Sequence, residues 1–449
     1  MNDHDSEKMA GILRSFGLRA AESEQDADII LLNTCSIREK AAHKIFTRLG
    51  QLRSLKAQRP QMILGVCGCV AQQEQEQIFT RAPYVDIVMG PRRIGSLPDL
   101  IEESRQRRHA LAVFDPRDAL VPELDLVHRL SRTRAYVTVM EGCNKTCTYC
   151  IVPFTRGREV CRPQEAILAE VRRCIDDGMV EIELLGQNVN AWRHDTWDFA
   201  RLLAGVAEVP GVLRTRFTTS HPLHFRDPII DAMASHESIC HHLHLPVQSG
   251  SDAVLERMRR GYTVSEYRGR VERLRQRIPD ISLSTDIIVG FPGETEADFA
   301  RTLDLVSEMR FETVFSFIYS PRPYTPAAEY QDDVKLEEKK DRLRRLQVIQ
   351  DSIRMEIVRE LEGSTVEVLV DGPAARGQGR VGGRTEQNYL VNLEGDPALV
   401  GQLVQVRIER AGPHSLTGSL ETGLTSSVLR NIDRVVHSTG IRSHHGAEP

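Results

Sequence analysis

The sequence lacks any hydrophobic run long enough to cross a membrane. None of its apolar stretches approaches the roughly 18 consecutive residues that a transmembrane helix requires. The first residues, MNDHDSEK, are polar and acidic, so they also lack the basic start and apolar core of a secretory signal. Internal repeats and low-complexity segments are missing too. These absences exclude an integral membrane protein and a repeat protein, and they predict a cytoplasmic location without a membrane partner.

The cysteines do not form the pattern of a disulfide framework. There are nine of them, an odd number, spread unevenly over 449 residues. Disulfide-rich domains are short, secreted and built on paired cysteines. The pattern therefore favours thiolates that act as metal ligands in a reducing compartment.

The net charge of −5 gives no indication of nucleic acid binding, since local patches decide such binding. One basic patch runs from Arg257 to Arg277, with eight arginines against two glutamates. A second group, Arg156, Arg158 and Arg162, follows the main cysteine cluster. A solvated helix face explains the first patch as well as phosphate binding does.

Residues 1–105 alternate short apolar runs with helical stretches, which predicts an α/β domain with a parallel sheet. The apolar runs are Asp28–Asn33, Met62–Val66 and Val85–Met89. Residues 106–134 are charged and irregular, and they are predicted to be a linker.

From residue 135 to 362 the sequence predicts six strand–helix units. The strands are AYVTVM, EIELLG, LRTRFTT, HHLHLPV, ISLSTDIIVG and TVFSFIYS. Right-handed crossovers close such units into a barrel or part of one, with active residues at the carboxyl ends of the strands. A charged helix follows over residues 335–361. Residues 363–425, rich in β-forming runs and glycine, predict a small all-β barrel, and residues 426–449 a tail.

The strongest motif is EGCNKTCTYC, at the end of the first predicted barrel strand. It places Cys143, Cys147 and Cys150 at CxxxCxxC spacing. Iron–sulfur clusters normally have four cysteine ligands, so a local set of three leaves one iron open to a small molecule. An open position is typical of catalytic metal sites. The alternatives are a structural zinc site with a distant fourth ligand and a thioredoxin-like pair, Cys147 with Cys150.

This spacing, with an aromatic residue before the third cysteine, resembles the radical S-adenosylmethionine (SAM) superfamily. Further blocks are similar to its methylthiotransferase family, and within it to the tRNA-2-methylthio-N6-dimethylallyladenosine synthases. These blocks are GCNKTCTYCIVPFTRGREVCRP, LLGQNVNAW, TTSHP, HLPVQSGSDAVLERMRRGYT, STDIIVGFPGET and YSPRPYTPAA. The resemblance covers almost the whole chain.

The resemblance implies that a 4Fe-4S cluster on the three cysteines binds SAM and cleaves it to a 5′-deoxyadenosyl radical. Residues that position SAM are expected at predicted strand ends, where amides and carboxylates offer hydrogen bonds and glycine allows close approach. A polar residue satisfied within the fold is the alternative at each position. The candidates are Gln187, Asn188, Asn190, Gln248, Ser284, Asp286 and Gly290.

The resemblance also implies an auxiliary 4Fe-4S cluster in the N-terminal domain, which carries or donates the inserted sulfur. Two of its three ligands match Cys35 and Cys69. The third belongs to a GCQMN-type block that would end where this chain begins, at Met1 and Asn2, so this ligand is missing from the chain. We expect that the natural product begins upstream. Cys67 is a poor replacement because it lies only two residues before Cys69.

The predicted β-barrel resembles the TRAM module, an RNA-binding domain, with Gly383-Arg384-Thr385 and HSLTGSL as its recognisable parts. The implied substrate is isopentenyl-modified adenosine in the anticodon loop of tRNA, methylthiolated at carbon 2 by a monomeric enzyme. An electron donor such as a flavodoxin or ferredoxin and a sulfur or cluster donor are the further expected partners. An aspartate of a ribosomal protein or threonylcarbamoyl-adenosine is the alternative substrate. A non-catalytic, zinc-holding RNA-binding protein is the alternative from another class.

Overall fold

The computed structural model describes residues 1–35, 39–106, 109–113, 126–374 and 379–421. The chain divides into two compact units, Met1–Gln350 and Asp351–Pro449. The predicted N-terminal domain and most of the predicted barrel domain thus share one unit. Part of the predicted linker and the whole predicted tail lie outside the described residues, and the finer domain boundaries stay predictions.

The first unit begins with a four-stranded parallel sheet flanked by helices. Its strands, in spatial as well as chain order, are β1 (Ile29–Thr34), β2 (Ile63–Gly68), β3 (Ile87–Met89) and β4 (Ala110–Ala112). The helices are α1 (Asn2–Ser15), α2 (Glu39–Gln58), α3 (Cys69–Glu74), α4 (Gln77–Arg81) and α5 (Leu97–Gln106). This arrangement confirms the predicted α/β alternation and its three apolar strands.

Alternation along the strands divides the core between the two faces of this sheet. Leu64, Val66 and Val88 pack with residues of α2, α3 and α4. On the other face, Ile63 and Ile87 pack with residues of α1 and α5. Because both faces are covered, the strands are almost continuously apolar, as buried parallel strands are.

The strand β4 lies within the stretch that the sequence assigns to a linker. Its three residues pair in parallel with β3, from Ala110 opposite Ile87 to Ala112 opposite Met89. So short a strand shows no alternation along the sequence, and it forms because an open edge of the sheet is available to it.

The six predicted barrel strands are confirmed. They are β5 (Arg134–Thr138), β8 (Glu181–Leu185), β11 (Arg214–Phe217), β12 (His242–His244), β13 (Ser282–Val289) and β14 (Thr313–Ile318). Two small antiparallel pairs accompany them, formed by β6 (Met140–Glu141) with β7 (Val160–Cys161) and by β9 (Arg193–His194) with β10 (Trp197–Asp198). The main strands form two parallel sheets of three, β5-β8-β11 and β12-β13-β14, with Thr215 bridged to Ile239 between them.

Helices separate these strands, as the sequence predicts. They are α6 (Val152–Arg156), α7 (Gln164–Asp176), α8 (Phe199–Ala207), α9 (Asp227–Ser235), α10 (Asp252–Arg257), α11 (Val264–Arg277), α12 (Glu296–Met309) and α13 (Leu336–Arg359). Both α11 and α12 start with a capping box, Thr263 with Glu266 and Thr295 with Asp298. None of the helices that the structure describes combines the length and the apolar character that a bilayer crossing requires.

Short 3₁₀ helices occupy several of the turns between these elements. They are Pro91–Ser96, Val189–Ala191, Pro222–His224, Pro326–Glu329 and Pro397–Leu399.

The second unit contains a closed five-stranded barrel, which confirms the predicted all-β domain. Its strands are β15 (Thr365–Pro373), β16 (Arg380–Arg384), β17 (Leu390–Glu394), β18 (Leu403–Ala411) and β19 (Leu416–Leu420), in the order β15-β16-β17-β19-β18. Alternate residues such as Val368, Val370 and Val406 fill its interior. Arg384, one of the recognisable TRAM-like residues, donates to the Asn388 carbonyl at 3.0 Å and so supports the β16–β17 turn.

A buried ion pair fixes α13 against the turn that follows β13. Glu294 accepts hydrogen bonds from the Gly290 amide at 2.6 Å and from Arg342 Nη1 at 2.8 Å. The side chains of Glu294 and Arg342 are each only 1% exposed. Gly290 has φ +68°, and a Cβ there would overlap the side chain of Lys339. The glycine is therefore required by helix packing as well as by the turn.

Glu294→Ala should destabilise this unit, because it removes the fully buried carboxylate and leaves Arg342 only the more exposed carboxylates of Glu338 and Glu296. The expected loss in the free energy of unfolding is up to ~3 kcal/mol, the lower end of the cost of breaking a buried pair. Urea unfolding of the full chain, followed by circular dichroism, measures it. Glu308→Ala is the matched control, since Glu308 is 45% exposed and pairs with Arg268 at the surface. It should cost less than ~1 kcal/mol, and equal losses for the two variants would contradict the proposed importance of the buried pair.

Candidate functional site

The three clustered cysteines lie in a loop at the carboxyl end of the first barrel strand. Backbone hydrogen bonds attach the loop to its surroundings: Cys143 N donates to Gly157 O at 3.2 Å and Thr148 N to Met258 O at 3.1 Å. Gly142, with φ +78°, packs so closely on the Arg158 backbone that a Cβ would not fit. The loop is thus held on both sides, and its thiols have defined positions.

The thiols of Cys143, Cys147 and Cys150 are reduced and electrostatically coupled. The pKa of Cys143 is raised to about 11 and that of Cys150 to about 12, mainly by burial and in part by the neighbouring Cys147. Three such thiols cannot ionise together without a compensating cation. Metal binding supplies that compensation and drives deprotonation, so this donor set fits the iron–sulfur cluster that the spacing predicts.

The predicted amides after β8 have different surroundings. Gln187 accepts a hydrogen bond from the Gly142 amide and so supports the cysteine loop. Asn190 exchanges two hydrogen bonds with the His221 backbone, at 2.9 and 3.0 Å. Asn188 is 1% exposed, and within the described part of the chain neither its Nδ2 nor its Oδ1 has a partner. A buried amide left unsatisfied needs a ligand or water, which makes Asn188 the strongest of the three candidates for cofactor binding.

A cavity of about 130 Å³ opens beside Cys150. Gln248 and Asp286 line it, so the structure brings two of the predicted residues to the third cysteine. Gln248 has φ +75°, a conformation that is uncommon outside glycine and is often found at ligand sites.

Ser284 and Gly290 do not line this cavity. Ser284 is 3% exposed, and its hydroxyl contacts His244 Nδ1 at 3.0 Å and His242 Nε2 at 3.3 Å. Gly290 faces Lys339, as described above. Both residues are satisfied within the fold, which was the alternative that the sequence left open.

Several lining residues escaped sequence reasoning. Tyr149, Ile288, Phe317 and Arg322 also line the cavity. An apolar residue on a strand predicts a core position, so the sequence did not indicate that Phe317 lines a cavity. Ile288 follows Asp286 by two positions on β13, and the period of the strand places both on one face.

The second cysteine pair lies at the carboxyl ends of β1 and β2. Thr34 pairs with Gly68 in the parallel register, so Cys35 and Cys69 follow at neighbouring positions. Cys67, in contrast, is 1% exposed and packs in the core, where burial raises its pKa to about 12. The structure thus brings Cys35 and Cys69 together and makes Cys67 a core residue.

The short helix α6 connects the two cysteine sites. It begins two residues after Cys150 and ends at Arg156, whose guanidinium lies close enough to Cys69 to interact with its charge. Arg156 is 4% exposed and forms a buried ion pair with Asp5 of α1. The five residues of this helix span about 7.5 Å, so the two sites are near neighbours.

Both basic groups found in the sequence are largely engaged within the fold. Ion pairs join Arg268 to Glu308 at 2.7 Å and Arg273 to Asp227 at 2.9 Å. In the second group, Arg156 pairs with Asp5, and Arg162 binds Glu170 at 2.7 Å. The structure therefore favours a solvated, ion-paired helix face over a phosphate-binding patch between Arg257 and Arg277.

Comparison with protein families gives three matches. The Radical SAM superfamily matches residues 137–306, the Uncharacterized protein family UPF0004 residues 1–90, and the TRAM domain residues 359–420. Among solved structures, the radical S-adenosylmethionine methyltransferase TsrM from Kitasatospora setae has a TM-score of 0.50 at 15% identity, over 83% of this chain and 70% of that chain. That likeness shows the fold.

Curated relatives are much closer in sequence. A tRNA-2-methylthio-N(6)-dimethylallyladenosine synthase from Burkholderia thailandensis is 47% identical over 437 residues, which is 94% of each chain. The enzyme of the same name from Coxiella burnetii is 47% identical over 431 residues, 94% of this chain and 97% of its own. Since these identities extend over nearly the whole chain, the protein belongs to the tRNA-2-methylthio-N6-dimethylallyladenosine synthase family of radical SAM enzymes.

Proposed function

We propose that this protein attaches a methylthio group to carbon 2 of N6-isopentenyladenosine next to the anticodon of tRNA, with SAM as cofactor. The observation that carries the proposal is the loop of three coupled thiols beside a cavity at the strand ends. Carbon 2 offers no acidic proton to a base, so a radical must remove its hydrogen. One SAM would supply the radical and another the methyl group.

Cys143, Cys147 and Cys150 would hold a 4Fe-4S cluster, which supplies the electron that cleaves the sulfonium of SAM. The protein's own part is to bind and orient the cofactor and to exclude water. Asn188 has a free buried amide for polar groups of SAM, and the Asp286 carboxylate suits ribose hydroxyls. Gln248 offers a third polar contact, while Tyr149 and Phe317 supply apolar walls. Gln187, Asn190, Ser284 and Gly290 would support these residues from behind.

Cys35 and Cys69 would be two of the three ligands of an auxiliary 4Fe-4S cluster that serves the sulfur insertion. Their placement at adjacent strand ends, with Arg156 and α6 leading to Cys150, supports a shared reaction space. An external flavodoxin or ferredoxin would deliver electrons, and a separate donor would replace sulfur or the cluster.

The tRNA would present the target base from a single-stranded loop, where a base is splayed from its stack at low cost. The closed β-barrel, which matches the TRAM domain, would bind RNA. We expect a monomer that works in the cytoplasm.

The proposal is tested by mass spectrometry of tRNA nucleosides from cells that lack the gene. They should accumulate isopentenyladenosine without the methylthio group, and a plasmid copy of the gene should restore the modification. An unchanged nucleoside profile in the deletion strain would refute the proposed substrate.

Cys147→Ala should remove one ligand of the catalytic cluster. Formation of 5′-deoxyadenosine should then fall by more than ~100-fold, since even outer-shell changes at metal sites cost up to about that much. Anaerobic reconstitution followed by chromatography of the products measures this. Cys161→Ala is the matched control, because Cys161 is half-buried on the neighbouring strand β7 and has no proposed ligand role. Unchanged turnover in Cys147→Ala would exclude the assigned site.

Asn188→Ala should weaken SAM binding by about tenfold, the value of one or two hydrogen bonds. Stability should not fall, because the unliganded fold leaves this amide unsatisfied. Asn190→Ala is the matched control: it breaks two bonds to the His221 backbone and should lower the thermal midpoint. SAM titration by calorimetry and thermal unfolding give the two readouts, and equal SAM affinity in Asn188→Ala and the parent would contradict this assignment.

A further inference from the structure

Arg260 is a buried arginine whose side chain reaches the cysteine loop. It is 6% exposed and lies in the turn after α10. The residues before and after it both have left-handed backbone conformations. Arg259 has φ +53° and Gly261 has φ +73°. A left-handed non-glycine residue is costly and persists only where surrounding contacts over-determine it. Here the turn directs the Arg260 guanidinium inward rather than to solvent.

All three nitrogens of this guanidinium have acceptors. Nε donates to the Tyr262 hydroxyl at 3.1 Å, and Nη2 donates to Pro246 O at 2.9 Å. Nη1 donates to the sulfur of Cys147 at 3.3 Å. Arginine remains protonated in proteins, so a full positive charge lies in hydrogen-bond contact with one of the three clustered sulfurs.

Hydrogen bonds on both sides of the contact fix the distance between Arg260 and Cys147. The residue after Cys147, Thr148, binds the turn through its amide to Met258 O at 3.1 Å and through its hydroxyl to Arg257 O at 2.9 Å. On the other side, Tyr262 donates to Val247 O at 2.8 Å. The contact therefore belongs to a fixed network of hydrogen bonds. Lysine could not replace Arg260 in it, because lysine lacks the planar guanidinium that donates in several directions at once.

We propose that Arg260 is a positioning residue that sets the reduction potential of the catalytic cluster through its hydrogen bond to Cys147. The inference rests on the proposed function, since it requires that Cys147 be a cluster ligand. Reduction adds a negative charge to a cluster and its thiolates. A charged donor at a ligand sulfur stabilises the reduced form more than the oxidised form, because charge-assisted hydrogen bonds strengthen with the charge of the acceptor. Arg260 therefore raises the potential and makes electron uptake easier.

A purely structural role predicts a different outcome. Arg260 also ties the cysteine loop to Pro246, two residues before the cavity-lining Gln248. If that were its only role, its loss would lower stability and SAM affinity without changing the potential. Tyr262→Phe separates the two effects, because it removes the bonds of the hydroxyl to Arg260 and Val247 but keeps the guanidinium at Cys147.

The experiment is a redox titration of the anaerobically reconstituted full chain, read by electron paramagnetic resonance of the reduced cluster. All proteins carry Cys69→Ala, so that the catalytic cluster dominates the signal. Arg260→Met should shift the potential to more negative values, equivalent to at least about a tenfold change in the ratio of reduced to oxidised cluster, the size of one charge-assisted bond. Tyr262→Phe should leave the potential unchanged while lowering the thermal midpoint.

A kinetic measurement supplies a second readout. At saturating SAM, Arg260→Met should form 5′-deoxyadenosine more slowly with a weak reductant, and a stronger reductant should recover much of the rate. If Arg260→Met does not fold well enough to bind iron, Arg260→Gln decides the point, with the same negative shift expected. If the Arg260 variant that binds the cluster has the same reduction potential as the protein with Arg260 intact, the inference is overturned. The proposed function is not affected by that result. Failure of the parent to bind an iron–sulfur cluster would instead refute the proposed function.

Discussion

Three thiols packed into one short buried loop cannot all carry charge unless something positive compensates them. Burial and mutual repulsion raise the pKa values of Cys143 and Cys150, so the loop by itself favours neutral thiols. The surrounding structure holds the loop in place: Gly157 O, Met258 O and Gln187 Oε1 accept hydrogen bonds from its backbone, and Arg260 brings a positive charge to Cys147. A site held this firmly is suited to a large inorganic cation whose binding ionises the thiols.

Parallel strands bring the rest of the site to the same edge. Because every main strand of the partial barrel runs in the same direction, Cys150, Gln248 and Asp286 line one cavity although they follow or belong to three different strands. The N-terminal sheet obeys the same rule and brings Cys35 beside Cys69. The helix α6 and the buried pair of Arg156 with Asp5 then join the two cysteine sites within one compact unit.

Left-handed backbone conformations mark the turns around this edge. Thr219, Gln248, Arg259 and Tyr324 have positive φ although none is glycine. Such residues cost of order 1–3 kcal/mol each and are found where a fold holds groups for a ligand. Stability comes from elsewhere, for example from Glu294 and Arg342, which lock α13 against the turn after β13. Contacts such as the pair of Glu294 and Arg342 thus offset the strain of the turns at the carboxyl ends of the barrel strands, where the candidate site lies.

The sequence by itself determined the fold class, the six barrel strands, the β-barrel and the three-cysteine motif, because periodic apolar patterns and fixed ligand spacing are local properties of the chain. It also indicated that polar residues at strand ends would gather at one site. Only the tertiary structure decided which of them have free groups: Asn188 is unsatisfied, whereas Gln187, Asn190 and Ser284 are bound within the fold. It alone revealed Arg260, which is 113 residues from Cys147 in the chain. Hydrogen-bond partners and burial depend on contacts between distant segments, and no local pattern encodes them.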